Sequence, residues 1–372
     1  MRIVRDLSAF FLIGGLASGA LAQDNAETRA ACTNKGAAYS LEQRIAGCTG
    51  AIAGQTAAPE NRAISYFNRG QAYGSRNQMV IAIADFDQAI RLNPDYGDAF
   101  FSRGLAHAQM KKYNRAIADY DQAIRIAPTD AEVFFFRGNA YVTLSPARAI
   151  ADFSDAIRLK PDYADALKMR AILYREQNQL ALAIADFDRA IILRPSSADL
   201  FHHRGNAYAD RSDDTRATAD FSEAIRLNST FVGAFNNRAI AYRRQKKLTE
   251  AVADYDQAIR LSPTLAILYF NRANALADQL QSDRALADFD KAIQLDPKLA
   301  AGYLNRGNLY RKIRQHVRAI DDYNQVIRLT PNDARAFYGR GLARTALGQR
   351  REAAADIASA TRIDPDIASQ YY

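Results

Sequence analysis

The stretch "IADFDQAIRLNP", residues 83–94, decides the fold. Taken alone it looks like chemistry. Asp85 and Asp87 flank Phe86, and Arg91 lies one turn further on. Two carboxylates in unlike environments can divide the acid and base roles of a hydrolase. The stretch is not alone, however. It returns as "IADYDQAIRIAP" from 117, "IADFSDAIRLKP" from 150, "IADFDRAIILRP" from 184 and "TADFSEAIRLNS" from 218. Then come "VADYDQAIRLSP" from 252, "LADFDKAIQLDP" from 286, "IDDYNQVIRLTP" from 320 and "AADIASATRIDP" from 354. The period is 34 residues with a single 33-residue step. A fixed period of that size signals a stacked array of small units.

A second phrase precedes each copy, as in "YFNRGQAY" from 66, "FHHRGNAY" from 201 and "YLNRGNLY" from 303. Both phrases space their apolar residues as helices do. The Pro that closes most copies of the second phrase ends that helix. Each unit therefore reads as two antiparallel helices and a short turn. Gly70, Gly104, Gly138, Ala171, Gly205, Ala239, Ala273, Gly307 and Gly341 put a minimal side chain midway along the first helix. Ala82, Ala116, Ala149 and their equivalents do so in the second. Small residues at facing sites let the helices approach, with Tyr73, Phe86 and their equivalents filling the remaining volume. Neither helix can bury its face alone, so neighbouring units must stack.

These residues resemble the tetratricopeptide repeat family, whose pattern of aromatic, Gly, Tyr, Ala, Phe and Pro appears here as Tyr66, Gly70, Tyr73, Ala82, Phe86 and Pro94. The resemblance runs over nine units: 63–96, 97–130, 131–163, 164–197, 198–231, 232–265, 266–299, 300–333 and 334–367, with a tail at 368–372. It implies an all-α, right-handed superhelical solenoid whose first helices line a concave groove. It also implies protein or peptide binding and no catalysis. The third unit is one residue short, with Ser145 as helix cap and Pro146 as first helical residue. The fifth has Ser229 in place of Pro, which makes its junction more pliable. The ninth has Arg344 and Ile357 at aromatic positions, as suits a terminal unit with one solvent-facing side.

Composition agrees with a helical binding protein. Apolar residues make up 48% and charged residues 24%, within the globular range. The N-terminus, "MRIVRDLSAFFLIGGLASGALAQDN", has a basic start, an apolar run from Phe10 to Leu21 and a small-residue site at Ala20-Leu21-Ala22. Residues 1–22 read as a secretory signal peptide, so the mature chain is expected in the periplasm or outside the cell. No stable membrane insertion is expected after cleavage. The formal charge of +8 falls to +7 when Arg2, Arg5 and Asp6 are removed. Export and dispersed cations argue against nucleic acid as the partner. A weak attraction to anionic envelope surfaces fits better.

Residues 23–62 read as a degenerate helical cap. In the register of "SLEQRIAGCTGAI" (40–52), Cys48 takes the place of Phe86, and Cys32 falls at the small-residue site of the preceding helix. An oxidising compartment makes a Cys32–Cys48 disulfide the expected state, with free buried thiols as the alternative. No metal site is expected, since the cysteines have no neighbouring His and His202 and His203 are adjacent. No cofactor is expected either, because no phosphate-cradling loop, zinc-protease signature or nucleophile elbow is present and the repeats leave no room for a catalytic domain.

An Arg precedes the small residue in all nine units (Arg69 to Arg340), and an Asp precedes the second-helix aromatic in all nine (Asp85 to Asp356). Strict recurrence points to an ion pair between the helices, whereas Asp87 varies to Ser or Asn as a tolerant surface position would. Binding residues are sought where units differ. The residue two before each Arg gives Phe67, Phe101 and Phe135, then Lys168, His202 and Asn236, then Phe270, Leu304 and Tyr338. These rings either line the groove or pack between units. Arg175, Arg243 and Arg244 add to a polar middle and, with Lys168, would contact an anionic polymer. Asn68, Asn237, Asn271 and Asn305 sit just before the Arg, and Asn139, Asn206, Asn274 and Asn308 one turn on. Carboxamides donate and accept at once. The row resembles the asparagine ladders with which some family members hold extended peptides, with local hydrogen bonds as the alternative. The reading is thus an exported adaptor that binds another protein or an extended peptide. Self-association through the terminal repeats, giving a homo-oligomer, is the rival.

Overall fold

The computed structural model describes residues 26–34, 38–54 and 58–371; the proposed signal peptide lies outside them. Among the described residues every regular element is helical. They fall into two compact units, residues 1–193 and 194–372.

The first unit opens with α1 (Ala26–Thr33) and α2 (Leu41–Ala53), the cap hairpin. Ser40 begins α2 with a capping box, its hydroxyl accepting from Gln43 N while the Gln43 side chain accepts from Ser40 N. Four hairpins follow: α3 (Pro59–Ser75) with α4 (Met79–Leu92), α5 (Gly97–Gln109) with α6 (Tyr113–Ile126), α7 (Ala131–Tyr141) with α8 (Pro146–Leu159), and α9 (Ala164–Glu176) with α10 (Leu180–Leu193). The second unit has five: α11 (Ala198–Asp210) with α12 (Asp214–Leu227), α13 (Val232–Arg244) with α14 (Leu248–Leu261), α15 (Ala266–Asp278) with α16 (Ser282–Leu295), α17 (Ala300–Lys312) with α18 (His316–Leu329), and α19 (Ala334–Ala346) with α20 (Arg350–Ile363). A short 3₁₀ turn, Ile367–Tyr371, closes the chain, with Ile367 buried against Ala334, Tyr338 and Ala360.

The heptad-like spacing of the second helix explains its packing. Ala82, Phe86 and Ala89 share one face of α4 and are fully buried. The first helix approaches this face through its small residue. A Cβ on Gly104 would sit 2.6 Å from Tyr120 Cε1, so at Gly104 the ring occupies the space a side chain would need. Between the helices, one residue takes a left-handed conformation in most repeats: Asn77, Lys111, Asn178, Ser212, Lys246, Leu280, Arg314 and Gly348. It lets the next amide bond back to the first helix, as Gln78 N does to Tyr73 O at 2.9 Å. The short third repeat has no such residue. There Ser145 N reaches Tyr141 O at 2.8 Å. Ser145 stands at the cap position and Pro146 at the first helical position, but the Ser145 side chain makes no capping bond. Its Cα placement, not its hydroxyl, serves the turn.

Cys32 and Cys48 are bonded, with Cα atoms 4.5 Å apart, and tie α1 to α2. The bond stands where Gly70 meets the Phe86 ring in the first full repeat. A covalent contact thus replaces an aromatic one in a hairpin too small to bury a ring.

Candidate interaction face

The recurring Arg and Asp meet in every repeat. Arg69 Nε and Nη2 donate to the two oxygens of Asp85, both at 2.8 Å. The same fork joins Arg137 to Asp152, Arg170 to Asp186, Arg204 to Asp220 and Arg238 to Asp254. It also joins Arg272 to Asp288, Arg306 to Asp322 and Arg340 to Asp356; Arg103 grips Asp119 likewise. All nine aspartates are buried. Rings cover the guanidinium: Phe235 and Tyr242 lie 5.8 and 5.7 Å from that of Arg238. The Asp288 carboxylate bonded to Arg272, acting against burial and aided by Asp256, holds that guanidinium above its ordinary pKa. Such planar two-point pairing suits Arg alone. The paired carboxylates belong to the frame and are not available for acid–base chemistry.

The third guanidinium nitrogen reaches the preceding hairpin. Arg103 Nη1 donates to Asp87 at 2.6 Å and Arg137 Nη1 to Asp121 at 2.6 Å. Arg170 donates to Ser154 Oγ and Arg238 to Ser222 Oγ, each at 2.9 Å. Arg272 uses Asp256, Arg306 uses Asp290, and Arg340 uses Asn324. Asp87 is thus at the surface, as expected, but it is tied to the following hairpin and is less tolerant than the sequence suggests. It varies among Asp, Ser and Asn because each of them accepts a hydrogen bond. Arg69 extends the pattern into the cap, donating to Thr49 Oγ1 at 3.1 Å. In the last repeat the position is Ala358. The signal was legible, since eight of the nine positions are acceptors and the exception is terminal.

The rings two before each Arg pack between helices. Phe67 lies 4.9 Å from Tyr96 and 6.0 Å from Phe86, and is buried. Leu304 and Tyr338 are also buried, so these three do not line an open groove. Phe101 packs on Tyr120 and Phe136, Phe135 on Phe153 and Tyr163, and Phe270 on Phe289; all three are half-buried. The position faces the seam between one hairpin and the next, and large rings fill that seam. Asn68, Asn139, Lys168 and Arg175 are half-buried in the first unit.

The second unit carries a connected amide network. Asn271 Nδ2 donates to Asn236 Oδ1 at 2.9 Å, and Asn236 Nδ2 to Asn237 Oδ1 at 2.9 Å. Asn237 Nδ2 then donates to Asn206 Oδ1 at 2.8 Å and lies 3.2 Å from His202 Nε2. The His202 ring itself rests on Phe231, centroids 4.6 Å apart. A second chain runs from Asn305 Nδ2 to Asn274 Oδ1 at 2.8 Å and from Asn274 Nδ2 to Phe270 O at 2.9 Å. Asn308 Oδ1 accepts from the Tyr323 hydroxyl at 2.8 Å. These side chains sit on successive first helices, and all are half-buried. Arg243 pairs with Asp278 at 2.6 Å and Arg244 with Asp214 at 2.7 Å, so neither is a free cation for a polyanion. Among the described residues no group of His, Cys, Asp and Glu is arranged to hold a metal ion.

One residue escaped the sequence reading. His107 stands at the Tyr73 position, is buried, and has its Nε2 3.9 Å from Asp119 Oδ2. Burial depresses its pKa, while Asp119 pulls the other way.

A tetratricopeptide repeat model matches residues 67–131 and 304–368, a second matches 266–299, and a TPR repeat model matches 172–211 and 241–279. No curated protein sequence matches the chain. Among solved structures, the Cut9–Hcn1 assembly of the APC/C is similar at 15% identity and a TM-score of 0.51, over 92% of this chain and 86% of that one. A tetratricopeptide repeat protein from Parabacteroides merdae is similar at 20% identity and a TM-score of 0.50, over 63% of this chain and 93% of that one. YrrB, titled a TPR protein with an unusual peptide-binding site, aligns at 23% identity and a TM-score of 0.45, over 50% and 95%. The two likenesses at 0.50 and above speak to the fold alone. The family models fall on the same repeats that the Arg–Asp forks define, and together they cover more than half of the chain, which belongs to the tetratricopeptide repeat family.

Proposed function

We propose that the protein is a non-catalytic scaffold that binds an extended segment of another protein along the first-helix face of residues 194–372. The observation that carries this reading is the amide network. The frame residues repeat without change, whereas the face carries Asn206, Asn236, Asn237, Asn271, Asn274 and Asn305 at positions free to vary. A carboxamide has two donor hydrogens and two acceptor lone pairs. Each bond within the network uses one of these and fixes the amide plane, leaving Asn271 Oδ1 and Asn305 Oδ1 to meet a peptide backbone. Amides held in place by one another lose little freedom on binding. The ligand is read through its backbone, so the partner is recognised by being extended more than by its side chains.

We further infer export to the periplasm or beyond, supported by the N-terminal sequence and by the Cys32–Cys48 pair. The test compares affinity capture from the cell envelope by wild type and by Asn237→Ala/Asn271→Ala/Asn305→Ala. Loss of one identified partner, with an unchanged thermal melt, supports the reading. Equal capture by both proteins sinks it. Sequencing the mature N-terminus checks export: a chain still beginning at Met1 is inconsistent with cleavage.

A further inference from the structure

The cations of this chain are unevenly placed. Residues 309–351 hold ten Lys and Arg against three Asp, which accounts for almost all of the net +8. Several of the ten are committed to the frame or to neighbours: Arg340 and Arg344 to Asp356, and Arg335 to Asp333. Five others, Lys312, Arg314, Arg318, Arg350 and Arg351, are exposed and lie at one place in the fold, the turn edge of the α17–α18 and α19–α20 hairpins. Among the described residues none of the five has a carboxylate within ion-pair distance. The nearest carboxylates in sequence are Asp321 and Glu352, both exposed.

Apolar side chains stand among these cations. Val317 is 64% exposed and Leu347 41%. On the preceding hairpin Leu280 is 73% exposed and occupies the left-handed turn position, with φ 62°, where other repeats place Asn, Lys, Ser, Arg or Gly. A leucine there gains nothing from burial and sits in a backbone conformation that favours smaller residues. A shallow cleft of about 360 Å³, lined by Arg314 to Arg318 and Leu347, lies along the edge. Three consecutive turns therefore present exposed apolar side chains, and the last two set cations beside them.

We infer that this turn edge is a peripheral docking surface for an anionic lipid bilayer. Apolar tips entering the headgroup region, flanked by Lys and Arg, are what such a surface rewards. A nucleic acid would reward the cations but not the leucines, and an acidic peptide would be held better by a groove than by projecting tips. The site is separate from the amide network and does not depend on the function proposed for it.

The experiment is vesicle flotation with the full mature chain, using phosphatidylcholine vesicles with and without phosphatidylglycerol. Wild type is expected to float only with the anionic vesicles, and less as salt rises through the screening range. Each juxtamembrane cation contributes roughly fivefold to partitioning, so Arg314→Glu/Arg318→Glu/Arg350→Glu should lose at least about a hundredfold. Val317→Ser/Leu347→Ser should lose several-fold at unchanged net charge, and Arg91→Glu, on an exposed residue of α4, should change little. Far-UV circular dichroism confirms that each variant is folded. Absence of flotation with anionic vesicles, or equal flotation by the triple reversal, overturns the inference. So does retention of the protein by an acidic peptide or a DNA duplex without any partition onto vesicles.

Discussion

Replacing Asp254 by Ala leaves the Arg238 guanidinium with no anionic partner while its flanking rings stay in place. Asp254 is 7% exposed and the Arg238 side chain is 18% exposed, so water offers little compensation. Two hydrogen bonds of 2.7 Å are lost, and the charge remains buried. Breaking a buried pair from one side costs about 3–5 kcal/mol. Removing both charges, as Arg238→Met/Asp254→Leu, keeps the volume and deletes the unpaired group. That variant should lie within about 1–2 kcal/mol of wild type, because an apolar pair can replace a buried ion pair at little net cost. Ser222→Ala probes a different quantity. It removes the 2.9 Å bond from Arg238 to the preceding hairpin, worth about 1 kcal/mol, and leaves the hairpin's own fork intact. Repeat proteins unfold by units and interfaces, so a single melting temperature would blur the two effects. Hydrogen exchange resolved to α13 and α14 separates them. Asp254→Ala should raise exchange throughout both helices, and Ser222→Ala chiefly where α12 meets α13. If the apolar double variant is as damaged as Asp254→Ala, the pair is not a desolvated ion pair and the reasoning fails.

Three further outcomes are expected. His107 is depressed by burial among Asp119, Arg103, Arg115 and Lys112, so it folds as the neutral form. A depressed folded pKa means its contribution is complete above the ordinary imidazole value of about 6.5 and is lost as pH falls through the lower, folded value. His107→Tyr, the residue most repeats carry there, should flatten the loss of α5–α6 protection between about pH 7 and 5 relative to wild type; identical profiles would contradict this. Reducing Cys32–Cys48 should destabilise the cap by about 3 kcal/mol, read as faster exchange in α1 and α2. Two reactive thiols in unreduced, denatured protein would show that the bond is absent. Gly205→Val puts three heavy atoms where a Cβ already lies 2.7 Å from Phe221 Cε1, and should cost about 1–3 kcal/mol in chemical denaturation, more than Gly205→Ala.

The repeats were legible because their frame is dictated by packing that recurs. Phe86, Ala82, Gly70 and the Arg69–Asp85 pair are fixed by one hairpin geometry, so nine copies report the same constraint. The candidate site was less legible. Phe67, Phe135 and Phe270 hold the same repeat position, yet Phe67 is buried and the other two are half-buried, although Phe135 has Tyr163 against it just as Phe67 has Tyr96. What packs on this position lies outside the phrase itself. Asp87 was misjudged for a related reason. Its partner is 16 residues downstream in the following repeat, and substitution among Asp, Ser and Asn reads as freedom when residues are considered one unit at a time. The amide network likewise became visible only when Asn236 and Asn271 were brought side by side.

Within each compact unit, the bond from an Arg to the hairpin before it gives the stack of hairpins a direction. In the first eight repeats the donor sits on the first helix and the acceptor position on the second, so a repeat duplicated between two others presents the right group to each neighbour. A repeat appended after the ninth would bring an Arg to Ala358, which can accept nothing. Internal duplication therefore preserves this bond, whereas a hairpin stacked on the ninth would lack it, a loss of about 1 kcal/mol. An acceptor introduced there, as in Ala358→Asp, is the smallest change that would supply it.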